Sequence, residues 1–122
     1  MDCDSCQHDQ IIAKLRHWEK HPEVIVDDGI PPLSVSSIRL AIELVDAITE
    51  AGLQPPDRVV SMVNGGVALD FLRDQETEET VALSPDGCCE YWRFEGERLA
   101  QRRIISQADA LVVLVGLLEA NN

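Results

Sequence analysis

The sequence predicts an α+β domain with N-terminal helices, a three- to four-stranded antiparallel meander and an apolar C-terminal helix. Three observations carry this expectation. Apolar residues recur at helical spacing as far as Gly52, and from Arg58 onward the period changes to two. Near the end, the uncharged apolar run Ala110 to Leu118 follows a helix-capping pattern.

In residues 1–22 the first helix runs from Asp4 to about His21, with Asp4 as cap and Gln7 in capping-box position. Ile11 (or Ile12), Leu15 and Trp18 form one narrow apolar stripe, and His21-Pro22 ends the helix. Glu23 to Leu33 is a connector. Val24-Ile25-Val26 has strand character there, but Asp27-Asp28-Gly29 is a turn signal and Pro31-Pro32 blocks regular pairing. Residues 34–52 are the clearest helix. Ser34 or Ser36 caps it, Ile38, Ala41, Ile42, Val45 and Ile48 share one face, and Gly52 suits a left-handed C-terminal position.

Residues 58–105 read as the meander. Val59 to Asn64 and Val67 to Arg73 flank Gly65-Gly66, a hairpin signal because the primed turns need positive φ. Asp74 to Glu79 reads as a polar loop, with Asp74, Glu76, Glu78 and Glu79 at a solvated hairpin tip. Thr80 to Ser84 and Cys88 to Phe94 are two further strands joined through Pro85-Asp86-Gly87. For residues 107–120 strand and helix compete, since the segment holds three valines and Gly116. The capping pattern Ser106-Gln107-Ala108-Asp109 decides for helix. Such a helix is apolar nearly all round and must be covered by the sheet, the second helix or another subunit.

The 122 residues suit a single domain, 1–122, and a mean hydropathy of -0.06 is ordinary for a folded chain. A formal charge of -12 argues against nucleic acid and anionic membrane as partners, because neutralising phosphate takes clustered Lys and Arg. No apolar run reaches the roughly 18 residues of a membrane span. The N-terminus lacks a basic n-region before an apolar stretch, so a cytoplasmic protein with reduced thiols is expected.

Candidate chemistry is sparse. Cys3, Cys6 and His8 form a CxxC followed by histidine, a spacing that can present three ligands to Zn²⁺. A structural zinc site normally shows a second pair of ligands. Cys88 and Cys89 are adjacent on a predicted strand and point to opposite faces, so at most one of them can join. His17 and His21 stand four apart on one helical face, without the glutamate placement of a zinc protease or an evident third ligand. Asp27-Asp28-Gly29 lacks the alternating oxygens of a calcium loop. Gly65-Gly66 matches no phosphate-binding loop, and the serines have no His/Asp partner set. Arg93, Arg98, Arg102 and Arg103 are a local basic cluster, read chiefly as partners for cross-strand carboxylates such as Asp70 or Glu90. Trp18, Tyr91 and Trp92 read as core or interface anchors.

The stretch Pro56-Asp57-Arg58-Val59-Val60, continued by Gly65-Gly66-Val67-Ala68-Leu69-Asp70-Phe71 and Asp86-Gly87-Cys88-Cys89-Glu90-Tyr91-Trp92, resembles small uncharacterised bacterial α+β proteins. The resemblance covers about half of the chain and departs at Asp70-Phe71, where Glu-Trp is expected. It implies the meander with its Gly-Gly hairpin and Asp-Gly turn, and it implies nothing about catalysis.

The resulting expectation is a non-catalytic protein–protein interaction module that self-associates through its apolar C-terminal segment. The alternatives are a metal-binding protein using Cys3, Cys6 and His8, and an acidic inhibitor or immunity-type protein that occupies a basic site.

Overall fold

Alternation along one strand decides where the core lies. In Val67–Leu72 the side chains of Val67, Leu69 and Phe71 point one way and are fully buried, while Ala68, Asp70 and Leu72 point the other. The computed structural model describes residues 4–21 and 33–120. In it α1 (Asp4–Lys20) and α2 (Val35–Glu50) precede the strands β1 (Arg58–Ser61), β2 (Val67–Leu72), β3 (Thr77–Leu83), β4 (Cys88–Glu95) and β5 (Arg98–Ser106). A 3-10 turn, Gln107–Asp109, then leads into α3 (Ala110–Ala120). The connector expected between the first two helices, with its short Val24–Val26 strand, lies outside the described residues.

The strands form one antiparallel sheet in the order β1-β2-β3-β4-β5, so each pairs with its sequence neighbours. The α+β class and the meander are as the sequence predicts, with five strands in place of three or four. The additional strand is β5. Its Arg98-Leu99-Ala100-Gln101-Arg102-Arg103 stretch lacks clean alternation because most of the strand is exposed at the sheet edge. A turn through Gly96, whose φ is +65, folds it back onto β4.

Register sorts the side chains into rows across the sheet. Val59, Leu69, Val81, Tyr91 and Arg103 make one row on the helix side, and Ser61, Val67, Leu83, Cys89 and Ile105 make another. On these rows sit Val59, Val67, Leu69, Val81, Leu83, Cys89, Tyr91 and Ile105 of the core, and Phe71 joins them from the next row, opposite Glu79. Above them α2 supplies Ile38, Ala41, Ile42, Val45 and Ile48, the face read from the sequence, together with Leu40 and Leu44. From α1 come Ile11, Leu15 and Trp18, also as expected, and from α3 Ala110, Leu114 and Leu118. Burying each Val, Leu, Ile or Phe among them contributes about 1.5–3 kcal/mol relative to leaving it in water.

The ends of α2 are built as its sequence suggests. Ser34 is the cap, its hydroxyl accepting from Ser37 N at 3.3 Å. At the other end Gly52 adopts φ +78, while Leu53 N donates to Ile48 O and Gly52 N to Thr49 O. The Gln7 amide donates to the carbonyls of Pro56 and Asp57, at 2.9 and 3.1 Å, and ties α1 to the entry of β1.

Three boundaries differ from expectation. β1 stops at Ser61, and the Met62–Gly66 turn is held by Met62 N to Gly66 O and Gly65 N to Met62 O. Gly65 provides the positive φ of +90, and Gly66 is needed for space, since a Cβ there would lie 2.4 Å from Leu83 O. β3 begins at Thr77, so Glu78 and Glu79 belong to a strand and not to the loop tip. α3 starts at Ala110 after the 3-10 turn, and Ser106 Oγ donates to Asp109 Oδ2 at 3.1 Å without capping a backbone N–H. Among the described residues no helix is long and apolar enough to cross a membrane.

The two sides of α3 differ in a way that unfolding experiments can read. Leu114 is fully buried and Val112 is 82 % exposed. Leu114→Ala is expected to destabilise by about 2–5 kcal/mol and Val112→Ala by no more than about 0.5 kcal/mol, measured by chemical denaturation.

Candidate functional site

Most of the chain's polar organisation lies in and on the sheet. On the helix side Phe71 faces Glu79, and Glu79 faces Arg93. Glu79 is fully buried and accepts from Arg73 Nε and from the Tyr91 hydroxyl, which is itself fully buried. Arg73 also lies over the Phe71 ring, 5.2 Å from its centroid. A buried carboxylate is tolerable only when its lone pairs are occupied, and two donors, one of them cationic, occupy them here. Burial, then the hydrogen bond and charge of Glu79, push the Tyr91 phenol well above its ordinary pKa. Tyr91 is therefore a neutral donor within the core, an anchor as its aromatic character suggests.

On the opposite side the row Arg58, Asp70, Thr80, Trp92, Arg102 carries a second network. Asp70 is buried, accepting from Arg58 Nε at 2.5 Å and Thr80 Oγ1 at 2.9 Å. Glu90 accepts from Arg102 Nε at 2.8 Å and from Trp92 Nε1 at 3.1 Å. Trp92 meets Phe94 edge to face, with centroids 6.5 Å apart. Val60, Leu72, Leu99 and Ile104 on this side are exposed. None of the described helices contributes its core residues to this face.

Three of the four arginines of the basic cluster lie against carboxylates. Arg93 lies 3.4 Å and Arg98 3.8 Å from Glu95, and Arg102 is held by Glu90. Asp70, the other partner considered from sequence, pairs with Arg58. Arg103 is exposed and ion-pairs with none of the described carboxylates.

The sequence-derived metal candidate is only partly within the described residues. Cys3 lies outside them, Cys6 falls in the first turns of α1, and His8 is half-buried. His8 Nε2 is 3.0 Å from Asp46 Oδ1 on α2, and its Nδ1 is 3.4 Å from Asp9 Oδ1. Among the described residues no group of three or more His, Cys, Asp or Glu side chains is placed to hold a metal ion. His17 and His21 keep their helical spacing with ring centroids 5.2 Å apart. Cys88 and Cys89 are free thiols on opposite faces, and burial pushes the Cys89 thiol up to about 11.

Shallow depressions lie on the surface of the described residues. One of about 190 Å³ lies between α1 and α2 at Arg16, Glu19, Arg39, Ile42 and Glu43, bridged by Arg39 and Glu19 at 2.8 Å. Another, of about 220 Å³, sits at the β2–β3 turn around Leu72, Asp74, Thr77 and Gly96. Asp74 is committed to that turn, accepting from Glu76 N and Thr77 N at 2.8 Å each, bonds that lower its pKa. Neither depression brings a nucleophile together with a base.

Glu79 is the polar residue that sequence reasoning placed wrongly. Its signal lay in register: opposite Phe71 and next but one to Val81, it belongs to the alternation that buries Val81 and Leu83. No protein-family model matches the chain, and comparisons with curated proteins and with solved structures found no match.

Two measurements check these assignments. Glu79→Ala removes the buried carboxylate that both Arg73 and Tyr91 bind and is expected to destabilise by about 3–5 kcal/mol, against about 1–3 kcal/mol for Tyr91→Phe. Asp74 has a folded pKa below its model-compound value of 3.8, so its contribution is present above that pH and is lost as the pH falls through the folded pKa. The stability difference between the wild type and Asp74→Asn, followed by urea unfolding, is expected to be largest near neutrality and to shrink in acid.

Proposed function

We propose that this protein is a protein–protein interaction module whose first contact is with a second copy of itself through α3. The observation that carries this reading is the outer side of α3. Val112 is 82 % exposed, and Gly116 is exposed with no atom within 4 Å of the place a Cβ would occupy. Leu111, Val113, Val115 and Leu117 are only partly covered by the core. The helix thus spends Ala110, Leu114 and Leu118 on its own core and leaves Val112 and Gly116 exposed.

Charge favours a second copy as occupant. The chain carries a net -12, so most faces of two copies would set carboxylate against carboxylate. From Ala110 to Leu118 there is no charged residue, and an isologous contact there places apolar side chains against each other. Gly116 lets the two helix backbones approach closely.

Sedimentation equilibrium or light scattering tests the reading. The mass is expected to rise with concentration from 13.5 kDa toward twice that value. Val112→Asp is expected to retain native circular dichroism and to stay monomeric. A wild type that remains a monomer at millimolar concentration would reject self-association.

A further inference from the structure

The two edges of the sheet are finished differently. At the β1 edge α1 lies across the start of the strand: Gln7 Nε2 donates to Pro56 O and Asp57 O just before it, and Lys14 Nζ donates to Val59 O within it at 3.1 Å. That edge is partly covered by α1. β5 is the other edge, the longest strand of the sheet at nine residues, and no described element pairs with its outer side. Ile104 on it is 63 % exposed and Leu99 48 % exposed. The register irregularity of the β4–β5 pair sits at Arg93/Phe94 near the turn, so Gln101 to Ser106 pairs regularly and presents an ordered backbone edge.

The side chains of this edge state what it would accept. β5 contains Arg98, Arg102 and Arg103 and no carboxylate, inside a chain with 22 acidic residues against 10 basic. Arg102 and Ile104 stand on the face away from the helices, while Arg103, opposite Tyr91, stands on the helix side. Arginine on an edge strand also serves to discourage unwanted pairing. Here it discriminates: two copies of β5 paired antiparallel over their length bring arginine against arginine, which is unfavourable for directly opposed like charges. An acidic strand meets the opposite situation.

We propose that the open edge of β5 binds an extended acidic segment of a partner protein by strand addition. The main-chain ladder supplies the affinity. Specificity comes from consecutive positions of the incoming strand: an apolar residue beside Ile104, then acidic residues beside Arg103 and Arg102. This proposal rests on the sheet edge and is independent of the α3 contact.

The probe is a labelled peptide, Val-Thr-Val-Glu-Glu-Thr-Val, compared with Val-Thr-Val-Lys-Lys-Thr-Val by fluorescence anisotropy on the whole protein. The glutamate peptide is expected to bind about tenfold or more tightly, with affinity falling as salt is added. Hydrogen exchange is expected to show new amide protection in β5 and none in β1. Arg103→Glu, a change at an exposed position, is expected to erase most of the preference, and the double variant R102E/R103E to invert it. If the double variant does not fold, the single variant decides. Equal binding of both peptides, binding of neither, or protection appearing away from β5 would overturn the proposal. So would a peptide-free dimer that Arg103→Glu abolishes, because it would assign the edge to a second copy.

Discussion

The register of β2 against β3 is the constraint on which the other features rest. Leu69 faces Val81 and Phe71 faces Glu79, and the alternation then carries across β4 to Tyr91 and Arg93. A slip of one residue would send Val81, Leu83 and Tyr91 to the outer face and bring Thr80 and Ala82 beneath the helices. It would also carry Glu79 and the Tyr91 hydroxyl together out of the helix-side core. Gly66 helps to fix this register from the hairpin end, since the backbone of β3 at Leu83 passes too close to admit any larger residue. A buried ionic cluster is weak evidence for added stability, but one that can be satisfied in a single register penalises the alternatives.

Elements with a local physical cause were legible. α2 showed its period, its serine cap and its terminal glycine, and each is where the sequence put it. The Asp86-Gly87 turn was equally plain, with Asp86 Oδ1 accepting from Cys88 N at 2.9 Å. β5 was not legible, because an edge strand with seven of nine residues exposed has little reason to alternate, and its arginines and glutamine are at home in helices. Glu79 was misplaced for a related reason. Its burial depends on Arg73 and Tyr91, partners that become neighbours only after the hairpins close. Of the arginine cluster, the pairing of Arg102 with Glu90 was legible, whereas Glu95 as the shared acceptor of Arg93 and Arg98 needed the turn through Gly96.

The surface is organised by what the helices leave uncovered. All three helices contribute to the core on one side of the sheet, and α1 in addition partly covers the β1 edge. Uncommitted apolar surface is therefore concentrated on the outer side of α3, along β5, and on the sheet face that carries Trp92 and Phe94. β5 and α3 are joined by only the three residues of the 3-10 turn, so the two unpartnered elements lie next to each other in the chain and in space.

The strand order has a kinetic consequence as well. Because every described strand pairs only with its neighbours in sequence, the described sheet forms without a long-range crossover. Each hairpin closes a short loop, at small entropic cost, and the next strand then adds to an existing edge. Proteins rich in such local pairings fold faster than sandwiches or parallel sheets of similar size. The distant steps that remain are the docking of α1 and α2 from one end of the sequence and of α3 from the other. Until they dock, the row of Val67, Leu69, Val81, Leu83 and Tyr91 is open to water, and the half-folded chain is at its most prone to aggregate.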